Sequence, residues 1–172
     1  IQQIALADVR RLITELEYRK VNAEESCRKV LESTYAFHYH YLAVQALREL
    51  GRQEKLTARG VKSLLRTTGY TAAYYGGLED GYTFEENLRS ILTSKANVPT
   101  VVQYIKKYLL EHHELRDWRW ETFIAVCEIV ARWGHAEVPV DLKHALRIEA
   151  EKEENPGRKE QFEKILTDQL HA

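Results

Sequence analysis

The chain lacks most of the features that assign a sequence to a functional class at first reading. Its 172 residues include no methionine, two cysteines and three prolines. No apolar run approaches the roughly 18 residues that a membrane span needs. Two cysteines without a short spacing provide neither a disulfide framework nor a zinc site. The sequence therefore argues against disulfide-stabilised secreted scaffolds and simple zinc domains, and it predicts no membrane contact.

The start of the chain lacks two further features. Residues 1–10 have neither the charged start nor the cleavage site of a secretory signal, which indicates a reducing, cytoplasmic setting. A chain that opens with Ile1 and contains no initiator methionine leads us to expect a fragment, or C-terminal part, of a longer protein.

Motifs for catalysis and cofactor binding are missing as well. There is no Gly-x-Ser-x-Gly element, no P-loop and no dinucleotide-binding glycine pattern. His38 and His40 are two residues apart and His112 and His113 are adjacent, so neither pair shares a helix face that could hold a metal. We expect no catalytic residues, no metal, no cofactor and no enzymatic role, and a helical enzyme assembled from distant residues stays a third alternative.

Helical patterning is what the chain does have. Few prolines and eight glycines leave room for long helices, and the period-two alternation typical of strands is absent. Apolar residues recur at helical spacing between capping signals. The pattern predicts an all-α protein, a compact multi-helix bundle of about eight helices with short loops, in a single domain over residues 1–172.

Cap residues predict where several helices begin and end. Asn22 followed by Glu25 has the form of an N-cap, and the apolar residues beyond it predict a long helix from 23 to 50. Gly51 is suited to end that helix, and Thr57 is positioned to begin the next one. Pro99 suits the first turn of a later helix, and Gly134 is suited to end the helix that contains Trp120.

One segment reads as a loop. Residues 69–83 hold four glycines and four tyrosines, and glycine disfavours an ordered helix. Loops carry function more often than core helices do, so we expect Tyr74 and Tyr75 to contact a partner there.

The most informative feature is a run of basic residues at alternating steps of four and three. On an uninterrupted helix this spacing places every member on one face, as a cationic stripe about 27 Å long. Only Glu49 and Glu54 oppose the charge within that stretch. Gly51 and Gly60 leave open a division of the stripe between two helices. The expected nucleic-acid-binding residues are Arg48, Arg52, Lys55, Arg59, Lys62 and Arg66.

Aromatic residues are the candidate protein contacts. Trp118 and Trp120 lie beside arginines in a helical segment, and both residue types are enriched at interface hot spots. The two tryptophans point to different faces of a helix, so we expect one to be substantially exposed as an interface anchor. A second aromatic cluster, residues 35–41, is either core packing or a surface that stacks on unpaired bases.

Charge is distributed unevenly along the chain and suggests a partner. Residues 1–66 carry 12 basic and 8 acidic side chains, whereas residues 111–172 carry 9 and 14. Arginine and lysine at helical spacing match a run of phosphates, so the cationic end favours nucleic acid.

We interpret the chain as a non-catalytic helical subunit of a larger nucleoprotein assembly. It would contact RNA or DNA backbone with little sequence preference, and would contact other protein subunits. The helical small subunits of RNA-guided effector complexes resemble it in size, helicity and charge, with no shared motif. A protein–protein adaptor that binds no nucleic acid, and that uses the tryptophan and tyrosine anchors, is the alternative.

Overall fold

The computed structural model describes residues 5–33, 39–67, 82–111 and 116–171. Within those ranges the chain is helical and contains no strand, which confirms the prediction of an all-α protein. The nine α-helices of the described ranges are α1 (Leu6–Tyr18), α2 (Ala23–Glu32), α3 (His40–Arg52), α4 (Ala58–Arg66), α5 (Tyr82–Ile91), α6 (Val98–Glu111), α7 (Arg116–Trp133), α8 (Val140–Glu151) and α9 (Pro156–Asp168). Single turns of 3₁₀ helix occupy Lys95–Asn97 and His135–Glu137.

The chain divides into two compact units, Ile1–Asn97 and Val98–Ala172. Helices α1–α5 build the first unit and α6–α9 build the second, and each unit buries its own set of apolar side chains. The single domain over residues 1–172 stays a prediction.

Helix α3 is central to the first unit, because it packs against α1, α2, α4 and α5. Its residues Ala43, Val44, Leu47 and Leu50 are all buried. Ala46, Arg48 and Glu49 are buried as well, and together the seven side chains cover more than half of the helix circumference, which is the pattern of a helix surrounded by others.

Two helices of the first unit end without a glycine. Lys20 follows α1 and Glu54 follows α3, both with a φ of 58°. In each case the next amide reaches back into the last turn, from Val21 to Leu16 O at 2.9 Å and from Lys55 to Leu50 O at 2.8 Å. These are Schellman ends, in which a left-handed residue lets the chain reverse.

The prediction of one helix from 23 to 50 is wrong. Helix α2 ends at Glu32, where Ser33 takes up an extended backbone, and a separate helix, α3, begins at His40. The intervening sequence consists mainly of serine, threonine, aromatic and histidine residues, which are weaker helix formers than alanine, leucine or glutamate.

The role predicted for Gly51 is also wrong. Gly51 lies inside the last turn of α3, and the left-handed residue after that helix is Glu54. A β-carbon at Gly51 would lie 2.7 Å from the carbonyl oxygen of Ser90 on α5. Glycine is therefore required because two helix backbones approach each other there, and the need for a helix cap plays no part.

Several other boundary predictions are confirmed. The side chain of Asn22 accepts a hydrogen bond from the Glu25 amide at 2.9 Å, as an N-cap should. Pro99 lies in the first turn of α6, and Gly134 follows α7 with a φ of 91°. The predicted loop 69–83 lies outside the described residues as far as residue 81, which includes Tyr74 and Tyr75, and its last two residues, Tyr82 and Thr83, belong to helix α5 instead.

The second unit is built on stacked aromatic rings. Phe123 of α7 and Phe162 of α9 are fully buried, with ring centroids 4.0 Å apart and planes nearly parallel. Helix α8 packs against α6 and α9 and contributes Leu142 and Leu146 to the core. Asn155 caps α9 through a 3.1 Å hydrogen bond from the Arg158 amide.

Candidate nucleic-acid interface

The six basic residues of the predicted stripe lie in two helices and the connection between them. Arg48 and Arg52 belong to α3, Lys55 lies in the connection, and the last three belong to α4. The stripe is therefore divided, and its members have three different environments.

Arg48 is inside the first unit, with 1% of its surface exposed. Its Nε donates to Asn87 Oδ1 at 2.6 Å and its Nη1 donates to Glu86 Oε2 at 2.7 Å. Asn87 in turn donates to the carbonyl oxygen of Leu64 on α4 at 3.1 Å. Arg48 joins α3, α4 and α5 through this network, and it presents no charge to a ligand at the surface.

Arg52 and Lys55 are exposed but already hold carboxylates. Arg52 Nη1 donates to Glu49 Oε2 at 3.2 Å, and Lys55 Nζ donates to Glu17 Oε1 of α1 at 2.8 Å. The Lys55–Glu17 pair is about half exposed on both sides, and ion pairs of this kind contribute little to stability. These two cations can assist a polyanion, but the local field around them is partly neutralised.

Glu49 is the buried centre of this ion-pair group. Its side chain is 3% exposed and accepts hydrogen bonds from Arg10, Gln53 and Arg52. Burial acts to raise the pKa of Glu49, but the hydrogen bonds outweigh burial, so the pKa lies below its usual value. The carboxylate is thus held ionised, and it partly neutralises the positive charge of the arginines around it.

The outward face of α4 is different. Arg59, Lys62 and Arg66 are exposed, and none of them makes a hydrogen bond or ion pair with any residue that the structure describes. They recur at steps of three and four, so they lie on one side of the helix over about 10 Å of its length. Helix α4 contains no acidic residue. We call these three residues the α4 basic face.

The opposite side of α4 fixes the helix in the first unit. Gly60, Val61, Leu64 and Leu65 are all buried. Their positions are centred about half a turn away from the basic face, so burial of the apolar side directs the three cations into solvent.

The start of α4 is anchored by a residue of α2. The Glu24 carboxylate accepts the amide of Thr57 and the hydroxyl of Thr57, each at 2.8 Å. Thr57 is the N-cap residue of α4, as predicted, although its side chain donates to Glu24 and accepts no helix amide. A carboxylate beside a helix N-terminus is favourable because the helix dipole is positive there.

A fourth cation lies beside α4 but is committed to other groups. Arg28 of α2 donates through Nε to Ser63 Oγ at 3.3 Å, and its two terminal nitrogens pair with Glu25 and Glu32. The guanidinium is mostly covered, with 18% of the side chain exposed. It orders the α2–α4 contact and adds little to the positive field.

The sequence left open whether the aromatic cluster 35–41 packs in the core or lies at the surface, and the structure shows that one of its members is exposed. Tyr39, from the aromatic cluster 35–41, is 62% exposed at the start of α3. Residues 35–38 of that cluster lie outside the described residues. Consecutive aromatics cannot all face the core of one helix, and this is the signal that marked the cluster in the sequence.

The predicted tryptophan anchor lies in the second unit. Trp120 is 39% exposed, and its ring contacts Phe162 at a centroid distance of 6.0 Å. The side chain of Trp118 lies outside what the structure describes. One tryptophan is thus substantially exposed, and its role as an interface anchor stays a prediction.

Several polar groups of the second unit form internal pairs. Arg119 donates to Glu149 Oε2 at 3.0 Å, and Lys152 donates to Glu149 Oε1 at 2.8 Å. A small polar crevice beside them is lined by the same two cations together with Glu153 and Glu154. Its charges are balanced, so it has no net preference for an anion or a cation.

The described part of the chain shows neither a metal site nor a membrane span. Among its residues, no group of three or more histidine, cysteine, aspartate or glutamate side chains is placed to hold a metal ion. No helix in the same ranges has the length and apolar content needed to cross a membrane. Both cysteines are reduced, and burial raises the pKa of Cys27 and of Cys127 to about 11, in each case with a further contribution from a neighbouring glutamate.

Comparison with known proteins identifies no relative. The chain matches no protein-family model, no curated protein and no solved structure at a significant level.

Proposed function

We propose that this protein is a non-catalytic helical subunit of a nucleoprotein assembly, and that the α4 basic face contacts the phosphate backbone of the nucleic acid. One observation carries the proposal: three cations share one exposed side of a nine-residue helix, without an acidic residue in that helix and without a partner among the described residues. Elsewhere in the first unit, the basic side chains of Arg10, Arg28, Arg48, Arg52 and Lys55 all hold carboxylates.

Repulsion among the three cations of the α4 basic face has an energetic cost that a polyanion would remove. Arg59 and Lys62 are three residues apart, and Lys62 and Arg66 are four apart. Like charges at these spacings destabilise a helix by about 0.2–0.5 kcal/mol per pair. Phosphates placed along the face would replace this repulsion with attraction, and counterions released from the nucleic acid would add to the affinity.

The dimensions of the face match a short run of phosphates. Arg59 and Arg66 are separated by about 10 Å along the helix axis. Phosphates of one strand follow each other at about 3.4 Å along a duplex axis, so the face spans about three of them. Contacts to backbone alone carry no sequence information, and binding is therefore expected to be nearly independent of sequence.

Charge reversal tests the proposal directly. The triple variant Arg59→Glu, Lys62→Glu, Arg66→Glu should lose binding to labelled single-stranded and duplex oligonucleotides, measured by fluorescence anisotropy at 50–200 mM salt. The matched control is Arg147→Glu, Arg158→Glu, Lys164→Glu, which reverses two arginines and one lysine on exposed positions of the second unit.

The wild-type protein and the control variant should share a salt dependence of the association constant. Its logarithmic slope should be about −2 to −3, as expected for about three neutralised phosphates. Equal binding by the face variant and the control, or binding that does not respond to salt, would contradict the proposal. Circular dichroism at 222 nm establishes that the face variant retains its helices.

The adaptor alternative has one observation in its favour, the exposure of Trp120. Large aromatic side chains at the centre of an interface carry a large share of binding energy. If the protein serves as an adaptor, Trp120→Ala will abolish capture of a partner protein while the α4 triple variant leaves that capture unchanged. The reverse pattern favours the nucleic-acid proposal.

A further inference from the structure

Tyr39 is a flat side chain presented to solvent. It precedes the first residue of α3 and is 62% exposed, although tyrosine rings commonly pack against the rest of a protein. Its position relative to the α4 basic face follows from three contacts in the first unit.

Helices α2 and α4 run side by side in the same direction. Glu24, near the start of α2, contacts Thr57 at the start of α4. Arg28, one turn further along α2, contacts Ser63 near the end of α4. The C-terminal ends of the two helices therefore lie at the same end of the pair.

Tyr39 lies at that same end. The ring nitrogen Nε2 of His40 is 3.1 Å from the carbonyl oxygen of Ser33, the residue that ends α2. Tyr39 is the neighbour of His40 in the chain. Arg66 is the last residue of α4 and the last cation of the basic face. The exposed ring and the end of the cationic face are thus brought to one end of the α2–α4 pair.

We propose that Tyr39 stacks on an unpaired base of a single strand whose phosphates follow the α4 basic face. The inference rests on the proposed function and narrows it from nucleic acid in general to single-stranded nucleic acid. A phosphate-tracking surface followed by an aromatic ring is the combination that binds single strands without sequence preference, because every base has a flat face. In a duplex the bases are already stacked and paired, so the ring has nothing to stack on.

Three ligands of equal length separate stacking from charge: a single-stranded homopolymer 12-mer, an abasic 12-mer that keeps the phosphates and lacks bases, and a 12-base-pair duplex. Tyr39→Ala should weaken binding of the single strand by about 5- to 150-fold, the range found when one base-stacking aromatic is removed. Binding of the abasic strand and the duplex should not change. Tyr39→Phe should retain binding of the single strand, because the ring is kept.

Tyr18→Ala is the matched control. Tyr18 is 83% exposed at the end of α1 in the same unit, and its substitution should leave binding of all three ligands unchanged. The inference is wrong if Tyr39→Ala binds the single strand as tightly as wild type, or if it loses the abasic strand to the same degree.

The proposed function is tested separately within the same set of measurements. If the α4 triple variant loses all three ligands while Tyr39→Ala loses none, the basic face is supported and the stacking inference is overturned. If the wild-type protein binds none of the ligands at 50 mM salt, both are overturned.

Discussion

The carboxylate of Glu24 occupies the place where position 60 would carry a side chain. A β-carbon built at Gly60 would lie 1.9 Å from Glu24 Oε1. The same carboxylate holds the Thr57 amide and hydroxyl at the start of α4. The absence of a side chain at position 60 thus allows a residue of α2 to reach the N-terminus of the helix that bears the basic face.

Gly60→Ala should gain no stability in the wild-type protein, although alanine in a helix is ordinarily better than glycine by about 0.5–1 kcal/mol. The new methyl group displaces Glu24 and breaks its two bonds to Thr57. In a Glu24→Ala background the same substitution should be more favourable than in wild type by about 1 kcal/mol, because the carboxylate and its bonds to Thr57 are already gone and only the flexible Leu56 side chain, whose Cδ2 lies 2.8 Å from the new β-carbon, has to shift. Urea unfolding of the four proteins gives the coupling energy, and an equal gain in both backgrounds would contradict this relationship.

Arg48 and Arg59 should differ sharply when each is replaced by alanine. Arg48→Ala leaves Asn87 and the carboxylate of Glu86 without a donor, and should cost about 2–4 kcal/mol of unfolding free energy. Glu86 is half exposed and can regain water, which keeps the cost below that of a fully buried pair. Arg59→Ala should change stability by less than about 0.5 kcal/mol, as for an exposed residue that has no hydrogen bond or ion pair with the described part of the chain. If denaturant unfolding gives similar losses of unfolding free energy for the two variants, the hydrogen bonds of Arg48 do not hold α3, α4 and α5 together.

Stability should depend on pH through Glu49. Its pKa is lower in the folded protein than in the unfolded chain, so its contribution is present above the unfolded value of about 4.3 and is lost as the pH falls through the folded value. Glu49→Gln should therefore be less stable than wild type at pH 7, by about 1–2 kcal/mol. The difference should shrink below about pH 4.

The measurement for Glu49 is urea unfolding at several pH values between 3 and 7. Glu160→Gln, which removes an exposed carboxylate of α9, is the control and should parallel wild type throughout. A Glu49→Gln deficit that stays constant down to pH 3 would contradict the ionised, hydrogen-bonded state of this carboxylate.

The two thiols should be unreactive in the native protein. With the pKa of Cys27 and of Cys127 raised to about 11, less than about one thiol in a thousand is ionised at pH 7.5, and the thiolate is the reacting form. A thiol-disulfide reagent such as DTNB should therefore modify the native protein at least about 100-fold more slowly than free cysteine. The same protein in denaturant should react fully. Rapid modification of either residue in the native state would show that its environment is open and polar.

Local signals explain which parts of the fold were predictable. Asn22 and Gly134 act through residues within one turn of them, so their roles are visible in the sequence. In the sequence, Gly51 resembles a helix cap and Gly60 resembles an interruption of a helix. In the structure, each glycine makes room for a group from another helix: the Ser90 carbonyl at Gly51 and the Glu24 carboxylate at Gly60. Contacts between residues far apart in the chain leave no local pattern.

The candidate site shows the same limit. Periodicity identified six equivalent cations, but Arg48 is separated from the others by its partner Glu86, 38 residues away. Lys55 is neutralised by Glu17, also 38 residues away. Only the tertiary structure reveals that Arg59, Lys62 and Arg66 have no such partner among the described residues.

The division of α4 into a packed side and a solvent side has a consequence for how its sequence can vary. Val61, Leu64 and Leu65 determine where the helix lies, while Arg59, Lys62 and Arg66 are exposed and make no hydrogen bond or ion pair with any described residue. Substitutions at the three outer positions should therefore leave the packing of the helix against the first unit unchanged. A different set of outer side chains would change what the helix binds, while the buried side chains would keep the helix in its place.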